Sequence, residues 1–301
     1  MKVLIINNLA SGYREGSIHD FARSFIADGD EVCIRSTDGT TPIAGLLRDA
    51  QDFDTVVASG GDGTVATVAY EMRGLDVPIL AFPAGTANLL AMNLELPTEP
   101  HALAKLAREG HSLSFDVGEI ETEDQRFGFM IMAGAGYDAL IMNDAARSKR
   151  LLGQAAYFLS AAANIAPQYS EIILNIDGEE IRTSGIGVLL VNFSKLQFDV
   201  SITHSNQPRD GLLDVVVLKA KNAVELLPSV MAALLDADGQ HPDRGDALEI
   251  YSGKEIFIQA DPAFQVQFDG EATGLETPLK ARIFPQAVKI LLTEEGMKHF
   301  L

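Results

Sequence analysis

The sequence predicts an α/β protein in two parts, a three-layer domain with a parallel sheet followed by a mainly antiparallel β-sandwich domain. Over about the first 115 residues, apolar strand patterns alternate with helical patterns, which is typical of a parallel sheet with helices on both faces. After Asp116 the pattern changes to short apolar runs joined by Gly, Asp and Pro turns, which favours antiparallel sheets. We therefore place the domains at residues 1–117 and 118–301, and we expect the C-terminal tail to pack back on the first.

The first domain is predicted from nine elements in alternation. Each strand is a short apolar run, and each helix repeats apolar residues every three or four positions. Ligands of parallel sheets bind beyond the carboxyl ends of the strands, so the loops after the strands are where functional residues are expected. Strands are predicted at 2–7, 31–35, 54–58 and 77–82, and helices at 17–27, 42–51, 65–73, 86–93 and 100–109.

The second domain is predicted as eight strands with two helical patches between them. The longest apolar stretch, Leu151 to Pro167, is shorter than the roughly 20 residues that a membrane-spanning helix needs, so we predict a buried or interfacial helix there. Strands are predicted at 126–132, 171–176, 185–192, 214–219, 255–259, 264–268, 279–284 and 287–292, and helical patches at 139–166 and 223–236.

The composition restricts the classes of protein that the chain can be. A net charge of -19 at pH 7 disfavours nucleic acid as a partner, because phosphate binding needs clustered Lys and Arg. It also disfavours strong electrostatic adsorption to an anionic membrane. The single cysteine, Cys33, cannot form an internal disulfide, which is typical of a reducing compartment. We therefore expect a cytoplasmic protein.

The loop Gly60-Gly61-Asp62-Gly63-Thr64 is the most informative stretch of the chain. It follows a buried strand and precedes a predicted helix, so its backbone N–H groups and the helix N-terminus can face a phosphate. The carboxylate of Asp62 would repel a bare phosphate but suits a Mg²⁺ ion between the two. The loop is neither a Walker P-loop nor a dinucleotide fingerprint, and a turn without a ligand is the alternative.

Two similar loops follow the neighbouring strands. One is Pro83-Ala84-Gly85-Thr86-Ala87-Asn88, and the other is Asn8-Leu9-Ala10-Ser11-Gly12. Three polar, glycine-bearing turns at the carboxyl ends of one sheet can face the same cleft. The alternative is three independent capping turns.

These residues resemble the catalytic domain of the diacylglycerol kinase family, which includes bacterial lipid kinases, sphingosine kinases and ceramide kinases. Two positions depart from the family pattern, since Leu9 stands where Pro is usual and Ala66 where Asn is frequent. The resemblance continues in the expected order through Asp116-Val117-Gly118, Gly134 to Ala139, Lys149 with Gly153 and Tyr157, Asp210 to Asp214, and Asp269-Gly270-Glu271.

The resemblance implies a nucleotide site and a catalytic turn. Glu271 matches the proton acceptor of the family, and Asp269 is the nearby alternative. A hairpin turn is the other interpretation of Asp269-Gly270-Glu271, because Asp-Gly favours hairpins. Asp62 is assigned with the catalytic residues. The implied ATP-binding residues are Asn8, Ser11, Thr37, Gly60, Gly61, Asp62, Gly63, Thr64, Val65, Ala66, Gly85, Thr86 and Asn88, and for Thr37 a turn or capping role is the alternative.

The segment Gln207 to Leu212 resembles the structural metal site of the family. There a carboxylate and backbone carbonyls hold Mg²⁺ through oxygen ligands, which suit that ion. The implied ligands are Gln207, Asp210 and Leu212. The alternative is a polar turn before the strand at 214–219.

The implied activity is the transfer of the γ-phosphoryl group of ATP, with Mg²⁺, to the hydroxyl of a lipid. The lipid is expected to be diacylglycerol-like, a ceramide or a sphingoid base, met by transient peripheral contact with a membrane. The oligomeric state is left open, with a dimer among the options. Two alternatives stand beside this function, a kinase of a soluble acceptor similar to NAD kinases, and a nucleotide-binding regulator without turnover.

Overall fold

The computed structural model describes residues 1–11, 16–27, 29–122, 125–136, 167–193, 207–221, 247–269 and 271–301. They divide into two compact units, residues 1–117 with 284–301, and residues 118–283. The helical patches predicted at 139–166 and 223–236 lie outside the described residues, as do Gly12, Tyr137 to Ala139, Lys149, Gly153, Tyr157 and Gly270. In the described parts of the chain, no helix is long and apolar enough to cross a membrane.

The first unit contains the predicted parallel sheet. Its strands lie in the order β2-β1-β3-β4-β16, and every neighbouring pair is parallel. The strands are β1 (Lys2–Asn8), β2 (Glu31–Thr37), β3 (Thr55–Gly60), β4 (Ile79–Pro83) and the end of β16 (Leu279–Leu292). The helices are α1 (Ser17–Phe25), α2 (Ile43–Leu46), α3 (Asp62–Glu71), α4 (Leu89–Asn93), α5 (Pro100–Glu109) and α6 (Glu294–Phe300).

The central strands are covered on both faces. All six residues of β3 are buried, as are Val3 to Ile6 of β1. A parallel strand buried on both faces needs apolar side chains at successive positions rather than in alternation. This confirms the predicted parallel α/β fold of the N-terminal part.

The helix predicted at 42–51 is wrong, because the structure has two short pieces there. Helix α2 ends at Leu46, and a 3-10 turn follows at Ala50–Asp52. The side chain of Arg35 donates to the Leu46 carbonyl at 2.6 Å and pairs with Asp49. The carbonyl at the end of α2 is therefore satisfied by a side chain instead of by a further turn of helix.

The C-terminal segment differs from the prediction of two separate strands. Residues Leu279–Leu292 form one strand, β16, with a bend at Gln286, whose φ is 45°. The bend is held because the N–H of Gln286 donates to the carboxylate of Asp116 at 2.6 Å. Helix α6 follows it and was not predicted from the sequence. The ring of Phe300 packs edge-on against Phe115 at 5.1 Å.

The second unit is a sandwich of antiparallel strands, as predicted. One sheet has six strands in the order β12-β11-β10-β7-β14-β15. A second sheet contains β8 and β13. The core between the sheets combines side chains such as Val188 and Val215 of the first with Ile172 and Ile256 of the second. Strand β5 (His111–Glu121) begins in the first unit and ends in this one. The other strands are β6 (Arg126–Phe129), β7 (Met132–Gly136), β8 (Ser170–Ile176), β9 (Glu179–Gly185), β10 (Gly187–Val191), β11 (Leu213–Leu218), β12 (Leu248–Gly253), β13 (Glu255–Asp261), β14 (Gln265–Phe268) and β15 (Glu271–Glu276).

Four strands of this list were not predicted, namely β5, β9, β12 and β15, and the strand predicted at 126–132 is two strands, β6 and β7. Strand β9, with the sequence EEIRTSG, has only one buried residue. It is a strand because its backbone pairs with β8, from Ser170↔Gly185 to Ile176↔Glu179, and its side chains alone do not indicate this.

Candidate functional site

The register of the parallel sheet brings the three predicted loops to one edge. Asn7 of β1 lies opposite Ser59 of β3, and Ser59 lies opposite Phe82 of β4. The hydroxyl of Ser59 donates to the side-chain oxygen of Asn7 at 3.0 Å. The N–H of Ala84 donates to the carbonyl of Gly60 at 3.1 Å. The loops after β1, β3 and β4 therefore start side by side, and we call them the strand-end loops.

Two of these loops touch through glycine backbones. A Cβ atom added to Gly85 would lie 2.3 Å from the Cα of Gly61, and one added to Gly60 would lie 2.5 Å from the Cβ of Thr64. Distances below 3.0 Å do not occur for real Cβ atoms. Only glycine allows the backbones of Gly61 and Gly85 to approach this closely, so Gly85 sets the spacing of the two loops, while Gly60 leaves room for the side chain of Thr64 within its own loop.

A polar chain joins the loop after β1 to the loop after β3. The amide nitrogen of Asn8 donates to the hydroxyl of Thr64 at 2.9 Å, and the N–H of Ala10 donates to the side-chain oxygen of Asn8 at 3.0 Å. The N–H of Leu9 donates to the carbonyl of Thr37 at 2.9 Å. Asn8, Thr37 and Thr64 thus lie together at this edge of the sheet.

The hydroxyl of Thr37 is engaged within its own turn. It donates to the carbonyl of Thr41 at 3.2 Å and accepts the N–H of Gly39 at 3.1 Å. Thr37 is 2% exposed. These contacts correspond to the turn role that was the alternative for this residue, and its contact with a nucleotide stays a prediction.

The carboxylate of Asp62 faces the start of helix α4. Asp62 is the first residue of α3, and its Oδ1 accepts the N–H of Leu90 at 2.9 Å. Burial raises the pKa of this carboxyl, while the N–H groups at the start of α4 oppose that shift. A partly buried carboxylate with a raised pKa gains from a nearby cation, which favours its ionised form.

The loop after β4 is closed by its own asparagine. Asn88 adopts the left-handed conformation, with φ 53° and ψ 42°. Its side-chain oxygen accepts the N–H of Gly85 at 2.8 Å, and its side-chain nitrogen donates to the Gly85 carbonyl at 2.9 Å. Thr86, two residues before it, is exposed, so a hydroxyl of this loop is accessible to a ligand.

The other predicted nucleotide-binding residues differ in how far they are exposed to solvent. Ser11 and Gly63 are half-buried. The side chains of Val65 and Ala66 are 6% and 0% exposed and face the core. If these two residues contact a nucleotide, they do so through the backbone of the first turn of α3.

In the second unit, Asp269 anchors the predicted catalytic turn. Its carboxylate accepts the N–H groups of Met130, Ile131 and Met132 at 2.9, 2.9 and 3.0 Å. Its own N–H donates to the Met132 carbonyl at 2.8 Å. Glu271 begins β15 and lies opposite Phe268 in the backbone register, and its side chain is outside what the structure describes.

Asn192, which contacts the segment bound by Asp269, was not predicted from the sequence. It is fully buried, and its amide nitrogen donates to the Met130 carbonyl at 2.7 Å. The signal available in the sequence was a polar residue directly after the apolar strand β10. Asn192 therefore helps to hold the segment on which Asp269 is anchored.

The predicted metal segment forms a polar turn. The Gln207 carbonyl accepts the N–H groups of Arg209 and Asp210 at 2.6 and 3.1 Å, and the Oδ1 of Asp210 accepts the N–H of Leu212 at 2.9 Å. Burial, followed by the charge of Asp214, raises the pKa of Asp210. Among the described residues no group of three or more His, Cys, Asp or Glu could hold a metal. The oxygen donors of Gln207, Asp210 and Leu212 fit Mg²⁺ in type.

Two protein-family models match the chain in the order of its units. The model of the diacylglycerol kinase catalytic domain matches residues 2–120. The model of the YegS C-terminal NAD kinase beta sandwich-like domain matches residues 131–292, more than half of the chain. The chain belongs to the diacylglycerol kinase family. It is accordingly assigned to the lipid kinases, which are phosphotransferases, and the resemblance seen in the sequence is confirmed.

Similar proteins agree with this family. A diacylglycerol kinase of Mycobacterium tuberculosis is 27% identical over 262 residues, covering 82% of this chain and 79% of that protein. An uncharacterized protein of Synechocystis sp. is 27% identical over 258 residues, covering 82% of this chain but only 57% of its own length. The solved structure of a diacylglycerol kinase from Bacillus anthracis superposes with a TM-score of 0.70 at 19% identity, covering 98% and 97% of the two chains, which shows a shared fold.

Proposed function

We propose that this member of the diacylglycerol kinase family transfers the γ-phosphoryl group of ATP to the hydroxyl of a diacylglycerol-like, ceramide or sphingoid lipid. The observation that carries the proposal is the contact between the strand-end loops at Gly61 and Gly85. It places the N-terminus of α3 and the loop after β4 side by side at the carboxyl edge of a parallel sheet, where such sheets bind ligands.

In this proposal the strand-end loops hold the phosphates of ATP. Backbone N–H groups at the start of α3 point towards anions, and Asn8 and Thr64 fix the spacing of the loops through their 2.9 Å hydrogen bond. Asp62 is the residue suited to the accompanying Mg²⁺, because its raised pKa marks a carboxylate that a cation would stabilise. When bound, the ion would neutralise charge on the phosphates.

We assign proton transfer to Glu271 and positioning to Asp269. The lipid hydroxyl oxygen forms the new bond to the γ-phosphorus, the bond to the β-phosphate oxygen breaks, and the hydroxyl proton passes to the Glu271 carboxylate. Asp269 is the weaker candidate for the base, because its carboxylate already accepts three backbone N–H groups. Those bonds fix the turn from which β15 and Glu271 start.

The turn at Gln207 to Leu212 is assigned to a structural metal, and the membrane surface is where the lipid is met. Gln207, Asp210 and Leu212 would hold a second, structural Mg²⁺ away from the transferred phosphate. The enzyme would act in the cytoplasm and contact the membrane surface transiently to meet its lipid. A peripheral contact of this kind requires no spanning helix.

The test is transfer of labelled phosphate from ATP to a panel of acceptors by the full chain. We expect label on one of diacylglycerol, ceramide or sphingosine, and loss of the label with Asp62→Asn. Asp20→Asn is the matched control, because Asp20 is an exposed acid on α1 with 62% of its side chain accessible. Label on NAD instead of lipid would assign a soluble acceptor, and ATP binding without any transfer would assign a regulator; either result would refute the lipid kinase proposal.

A further inference from the structure

The first unit has a cavity beside the bend of β16 and before the amino end of β4, the edge opposite to the strand-end loops. We call it the basal cavity. Its volume is about 520 Å³, which is within the range of small-molecule sites. The segment after α3, strand β5 and the bend of β16 supply its lining, chiefly Arg73, Asp76, Ser114, Phe284, Pro285 and Lys289.

The guanidinium group of Arg73 packs against two aromatic rings. Its central carbon lies 3.8 Å from the ring centroid of Tyr70 and 5.4 Å from that of Phe284. One nitrogen donates to the Tyr70 carbonyl at 2.5 Å. Arg73 forms no ion pair with a carboxylate of the described residues, unlike six other arginines. Arg73 therefore brings a positive charge to the cavity with its plane fixed.

Lys289 brings a second positive charge. Its ammonium pairs with Asp76, whose side chain is 91% exposed, while that of Lys289 is 39% exposed. Exposed ion pairs are weak, because solvent screens them, so an anionic ligand can take the place of Asp76. The buried carboxylate of Asp116 is engaged with the N–H of Gln286 at 2.6 Å. The basal cavity thus presents two cations against one exposed carboxylate.

We propose that the basal cavity binds a phosphate monoester that carries an apolar substituent. A monoester has a charge of about -1.5 to -2 at pH 7, which matches two cations better than a monocarboxylate does. The planar fork of Arg73 suits phosphate oxygens. Phe284 and Pro285 supply the apolar wall for the substituent.

This site is separate from the strand-end loops. Strand β4 has five residues, and at about 3.3 Å per residue it separates the two edges by roughly 17 Å. The basal cavity would therefore take a ligand without displacing one at the strand-end loops. The proposal does not depend on which acceptor the kinase phosphorylates.

The direct test is calorimetric titration of the full chain with hexyl phosphate, inorganic phosphate and hexanoate. We expect hexyl phosphate to bind most tightly of the three. Arg73→Gln should weaken its binding about tenfold or more, because it removes a charge-assisted contact, and Lys289→Gln severalfold. Arg23→Gln is the matched control, since Arg23 is an 80% exposed arginine on α1, and it should change nothing.

Several results would overturn the proposal. Equal affinity for hexyl phosphate and inorganic phosphate would mean that the apolar wall is unused. Unchanged affinity in Lys289→Gln and in Arg73→Gln would place the ligand elsewhere; melting curves check that Arg73→Gln folds, and Lys289→Gln changes only an exposed side chain. The source of the ester is then read from sedimentation with vesicles of phosphatidylcholine and phosphatidic acid. Binding that hexyl phosphate displaces assigns a lipid phosphate, and its absence assigns a soluble ester to the same site.

Discussion

The carboxylate of Asp269 accepts the backbone N–H of Ile131 at 2.9 Å, across 138 residues of sequence. The same carboxylate accepts the N–H groups of Met130 and Met132. One side chain therefore satisfies three successive backbone N–H groups where β6 ends and β7 begins. Asp269 has φ 41°, so its backbone is held in a conformation that few residues other than glycine adopt. The turn before Glu271 is fixed by this anchor.

The anchor predicts different consequences for the two carboxylates of the turn. Asp269→Asn should lower the free energy of unfolding by about 1–3 kcal/mol, because an amide accepts these N–H groups less well than a carboxylate. Glu271→Gln should cut kcat by roughly 10²–10⁴-fold with little change in stability, as expected for a general base. Urea unfolding and kinetics with labelled ATP measure both. A stable Asp269→Asn protein with the larger loss of kcat, beside a fully active Glu271→Gln protein, would reverse the two roles.

The contact between Gly61 and Gly85 predicts a large effect from one methyl group. In Gly85→Ala the new Cβ would meet the Gly61 backbone at 2.3 Å, so the strand-end loops must separate. We expect ATP affinity to fall at least tenfold, since misplaced binding groups lose their geometry. Gly45→Ala is the control. Its Cβ would meet nothing within 4 Å in helix α2, and it should stabilise the protein by up to about 1 kcal/mol. Equal ATP affinity in both variants would count against the role of the loop contact.

The raised pKa of Asp62 predicts a stability that falls as the pH rises. Burial raises the folded-state pKa of this carboxyl above its usual value of 3.8, so its favourable contribution is present below the unfolded pKa and is lost as the pH rises through the folded pKa. Without metal, Asp62→Asn should therefore melt at a higher temperature than the wild type at pH 7, and the gap should close towards pH 4. Melting curves over this range, with Asp20→Asn as the control, measure it. An Asp62→Asn variant that is less stable than the wild type at pH 7 would show that the buried carboxylate does not destabilise the folded state.

The turn at Asp210 predicts a melting temperature that depends on Mg²⁺. A metal that binds only the folded state stabilises it by mass action, so the wild type should melt higher as Mg²⁺ is added. Asp210→Ala should remove most of that dependence. The control is Asp52→Ala, because Asp52 is exposed in a 3-10 turn. Asp177 would be a poor control, since its carboxylate accepts the N–H groups of Lys254 and Glu255. If the wild type, Asp210→Ala and Asp52→Ala respond identically to Mg²⁺, then Asp210 does not hold a metal and the segment is only a polar turn.

Much of the fold could be predicted from local patterns. Parallel strands buried on both faces have continuous apolar sequences, so β1, β3 and β4 were predicted close to their observed bounds. Strands β9 and β15 could not be found in this way, because their sequences EEIRTSG and EATGLE lack an apolar run or a regular alternation. Their position depends on backbone pairing with β8 and β14, and that pairing is not encoded in the side chains of one strand.

The sequence by itself determined the two-part α/β architecture, the family and the three glycine-bearing loops, because each of these is carried by residues close together in the chain. Only the tertiary structure decided how the side chains of those loops are used. The bond from Leu90 to Asp62 joins residues 28 apart, that from Asn8 to Thr64 residues 56 apart, and that from Met130 to Asp269 residues 139 apart. Such bonds depend on how the strands pair, and in the first unit also on the approach of Gly61 to Gly85. Both arise only when the sheets assemble, so a local sequence pattern cannot show them.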